Sequence, residues 1–277
     1  MAAPALAQDL VIRDFVGTVT ITTGPASLDV LRKHPDLVTD SGGRLLIDGN
    51  IDKPEKSGVC GSYRSWWGGG GKSASLDDFA ALDVTLPEGA TLSIENSYVR
   101  LDASDTALSD AEVELAGCFD AALGDMLEAD IGKSGSGALS IGSTGTLKLG
   151  KSGSGDVTIE DVGTLDYGQS GSGDVSIGRI GVSGKISKSG SGDVRIGTVQ
   201  GPLTLAKSGS GRVRVDGGSI TALKIGASGS GGITVDADVV DASIAKSGSG
   251  DVRLARVSGR LEQSTSGSAR ITVGARD

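Results

Sequence analysis

The second half of the chain is ruled at near-constant intervals by the segment Ser-Gly-Ser-Gly. Full or near copies begin at Ser134, Ser152, Ser170, Ser189, Ser208, Ser228, Ser247 and Ser266, at intervals of 18, 18, 19, 19, 20, 19 and 19 residues. A repeat of this period with few helix signals between copies marks a solenoid. Composition agrees: 46 of the 277 residues are Gly and aromatics make up only 3%. Each Gly inside a helix costs about 1 kcal/mol against Ala, so helices are disfavoured. No Gly-X-Y period is present, which excludes collagen. Val, Ile and Leu recur in register beside each Gly cluster, which argues against flexible disorder.

A representative coil runs from Thr146 to Ile159. Two alternating stretches flank the Gly cluster. In the second, Val157 and Ile159 face one way while Asp156 and Thr158 face the other, because strand side chains alternate. The same inward pair recurs as Leu139/Ile141, Val175/Ile177, Val194/Ile196, Val213/Val215, Ile233/Val235, Val252/Leu254 and Ile271/Val273. The first stretch repeats as Leu147/Leu149, Leu165/Tyr167, Leu203/Leu205 and Leu223/Ile225, and a third apolar mark falls at Val162, Ile180, Val199, Ile220 and Val257. Three short faces per turn describe an all-β parallel β-solenoid of 18–20 residues per coil. The Ser-Gly-Ser-Gly segment is its corner, where a bulky residue would collide with its copies above and below. Weaker copies at Ile94–Leu101 and Ala116–Leu123 bring the expected total to about ten coils, a rod of about 48 Å.

The expected organisation is a trimmed export-signal remnant at 1–8 and a single solenoid domain at 9–277. Within the domain, 9–52 form N-terminal turns that cap the core, 53–77 an insertion loop and 78–277 the repeated coils. Ala5-Leu6-Ala7 has the small-x-small form of a signal-peptidase site. Cys60 and Cys118 fit an oxidising compartment. A bond between them would stabilise the fold by about 4 kcal/mol through loop-closure entropy, the alternative being two unpaired small residues. No run of apolar residues is long enough for a membrane-spanning helix. The net charge of −9 argues against nucleic acid as a partner, which would need a basic footprint.

The order of four pieces resembles a known family. They are Thr18-Val-Thr-Ile-Thr-Thr-Gly24, Gly43-Arg-Leu-Leu-Ile-Asp-Gly49, Leu82–Ile94, and the Ser-Gly-Ser-Gly-Asp-Val-x-Ile repeats. Together they are similar to the bacterial head GIN domain, a family named for an auto-transporter adhesin role and related to other β-helical envelope proteins. The resemblance covers about residues 10–273. It implies a single-stranded right-handed parallel β-helix, an exported protein of the periplasm or cell surface, and no enzymatic residue set or cofactor. The chain departs from the family pattern in its Cys-containing insertion and in the regularity of its repeats.

Several residue groups are candidates for function. Tyr63, Arg64, Trp66 and Trp67 lie together in the insertion, and Trp, Tyr and Arg are the usual interface anchors; the competing reading is that the tryptophans cover the core. Arg195, Arg212 and Arg214, with Arg253, concentrate basic charge that could hold an anionic glycan. Asp156, Asp174 and Asp193 stand in a column that could offer calcium its oxygens. That column is interrupted at Ala138, Arg212, Gly232 and Arg270, and the other half of each coil lacks Asp, so metal is the weaker reading. Lys133, Lys151, Lys188, Lys207 and Lys246 precede the Gly clusters and are expected on a solvated face with weak ion pairs. The one His, His34, has no catalytic partner pattern, and no Ser has a nucleophile-elbow context. The outward row is too irregular for an ice-binding face. The expected function is a non-enzymatic, adhesin-like scaffold for a cell-surface glycan or envelope protein. The alternative is a structural envelope protein that self-associates with copies of itself, end to end or laterally.

Overall fold

Alternation of burial along each short face, broken where the chain turns to the next face, builds most of this molecule. The computed structural model describes residues 9–32, 36–39, 44–51, 53–60 and 74–276. It is an all-β solenoid, and its contacts fall into two compact units, residues 1–142 and 143–277.

In the second unit each coil stacks on the next in parallel register. Val157, Val175, Val194, Val213, Ile233, Val252 and Ile271 form one inward column. Ile159, Ile177, Ile196, Val215, Val235, Leu254 and Val273 form a second. All but the last residue of each column are buried. Burying each such side chain contributes about 1.5–3 kcal/mol, so a thin aliphatic core suffices when it is repeated in layers. The corners follow from glycine. Gly171 and Gly190 have φ values of +122° and +115°, and a Cβ on either would overlap the carbonyl oxygen of the corner Gly one coil before it.

The first unit is less regular. The strand Asp9–Arg13 pairs in parallel with Arg44–Asp48 on one side and with Thr91–Glu95 on the other. Val16–Thr23 pairs in parallel with Ala80–Leu86 and with Tyr98–Asp102. Leu101 and Ala103 stack on Ala121 and Leu123, which stack on Leu139 and Ile141, so the weak upstream copies of the repeat are true coils. The N-terminal turns contain a departure from pure solenoid pairing. Ser27–Arg32 runs antiparallel to Ala80–Leu86, and Asp36–Thr39 antiparallel to Arg44–Asp48. Short return strands of this kind cover sheet edges that would otherwise present unpaired backbone groups.

Candidate functional site

Where the residue after a Gly cluster is Asp, it turns outward and its carboxylate bonds backbone. Asp156 Oδ1 accepts from the Asp174 N–H at 2.9 Å, Asp174 Oδ1 from Asp193 at 2.8 Å, and Asp193 Oδ1 from Arg212 at 2.7 Å. Asp251 does the same for Arg270 at 2.9 Å, and in the first unit Asp120 for Ala138 at 2.7 Å. The Asp column is therefore a side-chain ladder that satisfies donors where the sheet turns its corner. Among the described residues no three carboxylate, His or Cys groups gather as a metal site. The calcium reading of Asp156, Asp174 and Asp193 has this architectural explanation in its place.

The lysines overturn the expectation of a solvated stripe. Lys133, Lys151, Lys188, Lys207 and Lys246 are each 5% exposed or less. In the second unit Lys151, Gln169, Lys188, Lys207, Ala227 and Lys246 are stacked partners in one inward column. Their heads reach the carbonyl oxygens of the corner. Lys151 Nζ donates to Gly173 O at 3.1 Å and Lys188 Nζ to Gly190 O at 3.2 Å. Lys207 Nζ donates to Gly209 O and Gly231 O at 3.1 and 3.0 Å. Lys246 Nζ donates to Gly229 O and Ser247 O at 2.9 and 2.7 Å. An ammonium carries three donors, and here it replaces water at carbonyls turned away from solvent. Burial lowers Lys207 to about 8, helped by the neighbouring charges of Lys188 and Lys246 and opposed by Asp193. Lys188 and Lys246 are lowered for the same first reason, burial.

Exposed arginines gather around a concavity on the described surface of the second unit. A hollow of about 550 Å³ is lined by Arg212 and Arg214 in one coil, Gly232 and Thr234 in the next, Asp251 and Arg253 in the third, and Arg270 and Thr272 in the fourth. Parallel register sets this order, since Arg214, Thr234, Arg253 and Thr272 are successive stacked partners. The arginines differ in their engagement. Arg195 bonds Asp216 at 2.7 Å, while Arg214 is clamped between Asp216 at 2.5 Å and Asp236 at 2.6 Å. Burial pushes the Asp216 carboxyl up, but the bonds from Arg214 and Arg195 outweigh it and hold it below the usual range. Arg212, Arg253 and Arg270 have no ion-pair partner among the described residues.

The sequence-level basic patch is thus divided. Arg195 is neutralised outside the hollow, Arg212 and Arg214 line it, and Arg253 and Arg270 complete it. Arg270 had been legible only as a break in the Asp column. In the first unit Cys60 and Cys118 form a disulfide, with Cα atoms 5.5 Å apart. It pins the start of the insertion against the corner Gly117–Cys118, where the Cys118 N–H lies 2.9 Å from Cys60 Sγ. Tyr63, Arg64, Trp66 and Trp67 lie outside the described residues, as do His34 and the Ala5-Leu6-Ala7 segment.

No helix among the described residues is long and apolar enough to cross a membrane. Searches of curated proteins and of solved structures returned no match. The family profile described as Toastrack DUF4097 matches residues 28–275, almost the whole solenoid. With parallel coils stacked within each unit, the resemblance to β-helical envelope-type proteins holds at the level of family type and fold, and the chain belongs to the Toastrack DUF4097 family.

Proposed function

We propose that the chain is an exported, non-enzymatic β-solenoid scaffold that binds an anionic cell-surface glycan in the arginine-lined hollow of its second unit. The observation that carries this reading is the set of three guanidinium groups, Arg212, Arg253 and Arg270, with no ion-pair partner among the described residues around one concavity. Guanidinium forks match carboxylate and sulfate geometry, and an unpartnered one loses no internal ion pair on binding. The hollow's titratable lining is four arginines and one aspartate, a composition suited to holding charge rather than to moving protons. The Cys60–Cys118 bond supports an oxidising, non-cytoplasmic location.

Binding of the full chain to an array of acidic and neutral cell-surface glycans tests the reading. Changing Arg212, Arg253 and Arg270 together to Ala should reduce affinity for acidic glycans at least about tenfold, with the loss shrinking as salt rises. Trp66→Ala with Trp67→Ala probes the insertion in the same assay. If the arginine variant binds as the parent does while the tryptophan variant fails, the ligand sits on the insertion and the hollow is not its site.

A further inference from the structure

Gly232 is the one place in the hollow where the residue is smaller than the backbone requires. It occupies the Asp column: the Val213 N–H donates to Gly232 O, and the Ile233 N–H to Asp251 O, as Val157 and Val175 do to Asp174 and Asp193. Unlike the first glycine of each corner it is not among the residues of positive φ, and a Cβ placed on it would meet only Asp251 O, at a tight 3.3 Å. With a shift of a few tenths of an ångström at the Asp251 carbonyl, the backbone accepts the Asp that fills this position at 156, 174, 193 and 251. What its absence creates is space. Gly232 and the half-buried Thr234 make an uncharged floor between two cationic ends. Arg212 and Arg214 stand at one end, while Arg253 and Arg270 stand two and three coils further on. At one strand spacing per coil, the two ends are about 10–14 Å apart.

Resting on the glycan reading above, we infer that the hollow takes a linear acidic polysaccharide lying along the coil stack, with carboxylates on alternate sugars. One carboxylate meets Arg212, beside the Arg214 that Asp216 and Asp236 already hold, the next meets Arg253 and Arg270, and the uncharged sugar between them covers Gly232 and Thr234. Asp251 borders this middle position and repels a third carboxylate placed there. Gly232 is thus a specificity-determining position that opens the floor without touching charge.

The test uses hyaluronan oligosaccharides of increasing length, which carry a carboxylate on every second sugar, and oligogalacturonates, which carry one on every sugar. Titration calorimetry of the full chain should show affinity rising about tenfold once a hyaluronan fragment is long enough to reach both ends, a step of about 1.4 kcal/mol. Oligogalacturonates of equal length should bind more weakly. Gly232→Asp should abolish the length step without lowering the melting temperature, and Gly232→Ser should weaken it. A length step that survives Gly232→Asp, or oligogalacturonate binding as tight as hyaluronan, overturns the inference while leaving the glycan reading intact. Failure of every acidic oligosaccharide to bind, at any length, overturns both.

Discussion

The two units build the same parallel coil by different means. Residues 143–277 repeat almost without variation, and the stacking of identical small residues at the corner does the structural work. Residues 1–142 hold one regular corner at Ser134 and, before it, a degenerate copy, Ala116-Gly-Cys-Phe119, tied by a disulfide, and they add antiparallel return strands in the N-terminal turns. Their charges differ as much. The first unit has 22 acidic and 10 basic residues, a net of −12, and the second 13 and 16, a net of +3. In the first unit outward carboxylates stand directly opposite each other, Asp110 on Glu128 and Glu112 on Asp130, an arrangement that costs stability in a sheet. In the second, several outward acids are matched, as Asp216 is by Arg195 and Arg214. A regular repeat can align opposite charges coil by coil, whereas a degenerate one must be held by covalent and edge-covering devices.

The sharpest way to break the comparison is at a corner. Gly190→Val places a side chain where φ is +115° and the Gly171 carbonyl already fills the space. A loss of at least about 3 kcal/mol is expected in denaturant unfolding, since backbone strain and overlap act together. Gly226→Ala, where nothing lies within 4 Å of the added Cβ, should change stability by about 0.5 kcal/mol or less. If the two variants are equally stable, the corner does not depend on stacked glycines. The matching lesion in the first unit is removal of the disulfide. Cys60→Ser with Cys118→Ser should cost about 2–5 kcal/mol. Amide exchange should speed up in residues 9–142 and stay near parental rates in the core strands after 143.

A third difference concerns pH. Burial holds Lys207 at about 8 against an ordinary value of 10.5, so above pH 8 the unfolded chain binds more protons than the folded one. Stability then rises with pH across the window from about 8 to 10, by up to about 1.4 kcal/mol per unit for one such group. Lys188 and Lys246 are shifted in the same direction. Near pH 10 the buried Tyr167 turns the trend, because burial pushes its hydroxyl up and the folded state then holds the extra proton. Unfolding midpoints at pH 7.5, 8.5 and 9.5 should climb for the parent and flatten for Lys207→Met. A flat parent profile would mean that the column keeps its charge through other contacts.

That lysine column also shows how far the sequence could be read. The coil period, the inward pairs and the corner role of Ser-Gly-Ser-Gly all followed from alternation, and so did the coils at 94–101 and 116–123. Alternation also points inward at each lysine: Leu147, Leu149 and Lys151 share one parity, as do Leu203, Leu205 and Lys207, or Ile244 and Lys246. The signal was present but opposed by the strong tendency of Lys to be exposed, and carbonyls turned inward at a corner are invisible without coordinates. The hollow was half legible. Arg212 and Arg214 stood out by charge, but the neutralisation of Arg195 by Asp216, in the next coil, depends on register. The joining of Arg253 and Arg270 across Gly232 depends on it too.

The smallest expected effect concerns the Asp ladder. Asp193→Ala removes the acceptor of the Arg212 N–H at the surface, where water can partly replace it, and should cost about 1 kcal/mol. Asp193→Asn keeps an acceptor oxygen and should cost less. Gly232→Asp is the reverse experiment: it supplies a carboxylate for the Asp251 N–H in the geometry that Asp174 uses for Asp193. It also removes the flexibility that Gly gives the unfolded chain, a gain of about 0.4–1 kcal/mol where the backbone suits the new residue. Against this stands repulsion from Asp251, a cost the column already bears where Asp156, Asp174 and Asp193 stack, and Arg212 on the other side offsets it. The balance predicts a melting temperature equal to or slightly above the parent's. A variant that is more stable and binds less would show that the repeat gives up a ladder hydrogen bond at this one coil to keep the hollow open. A clear fall in stability would show instead that Gly232 is required by the backbone after all.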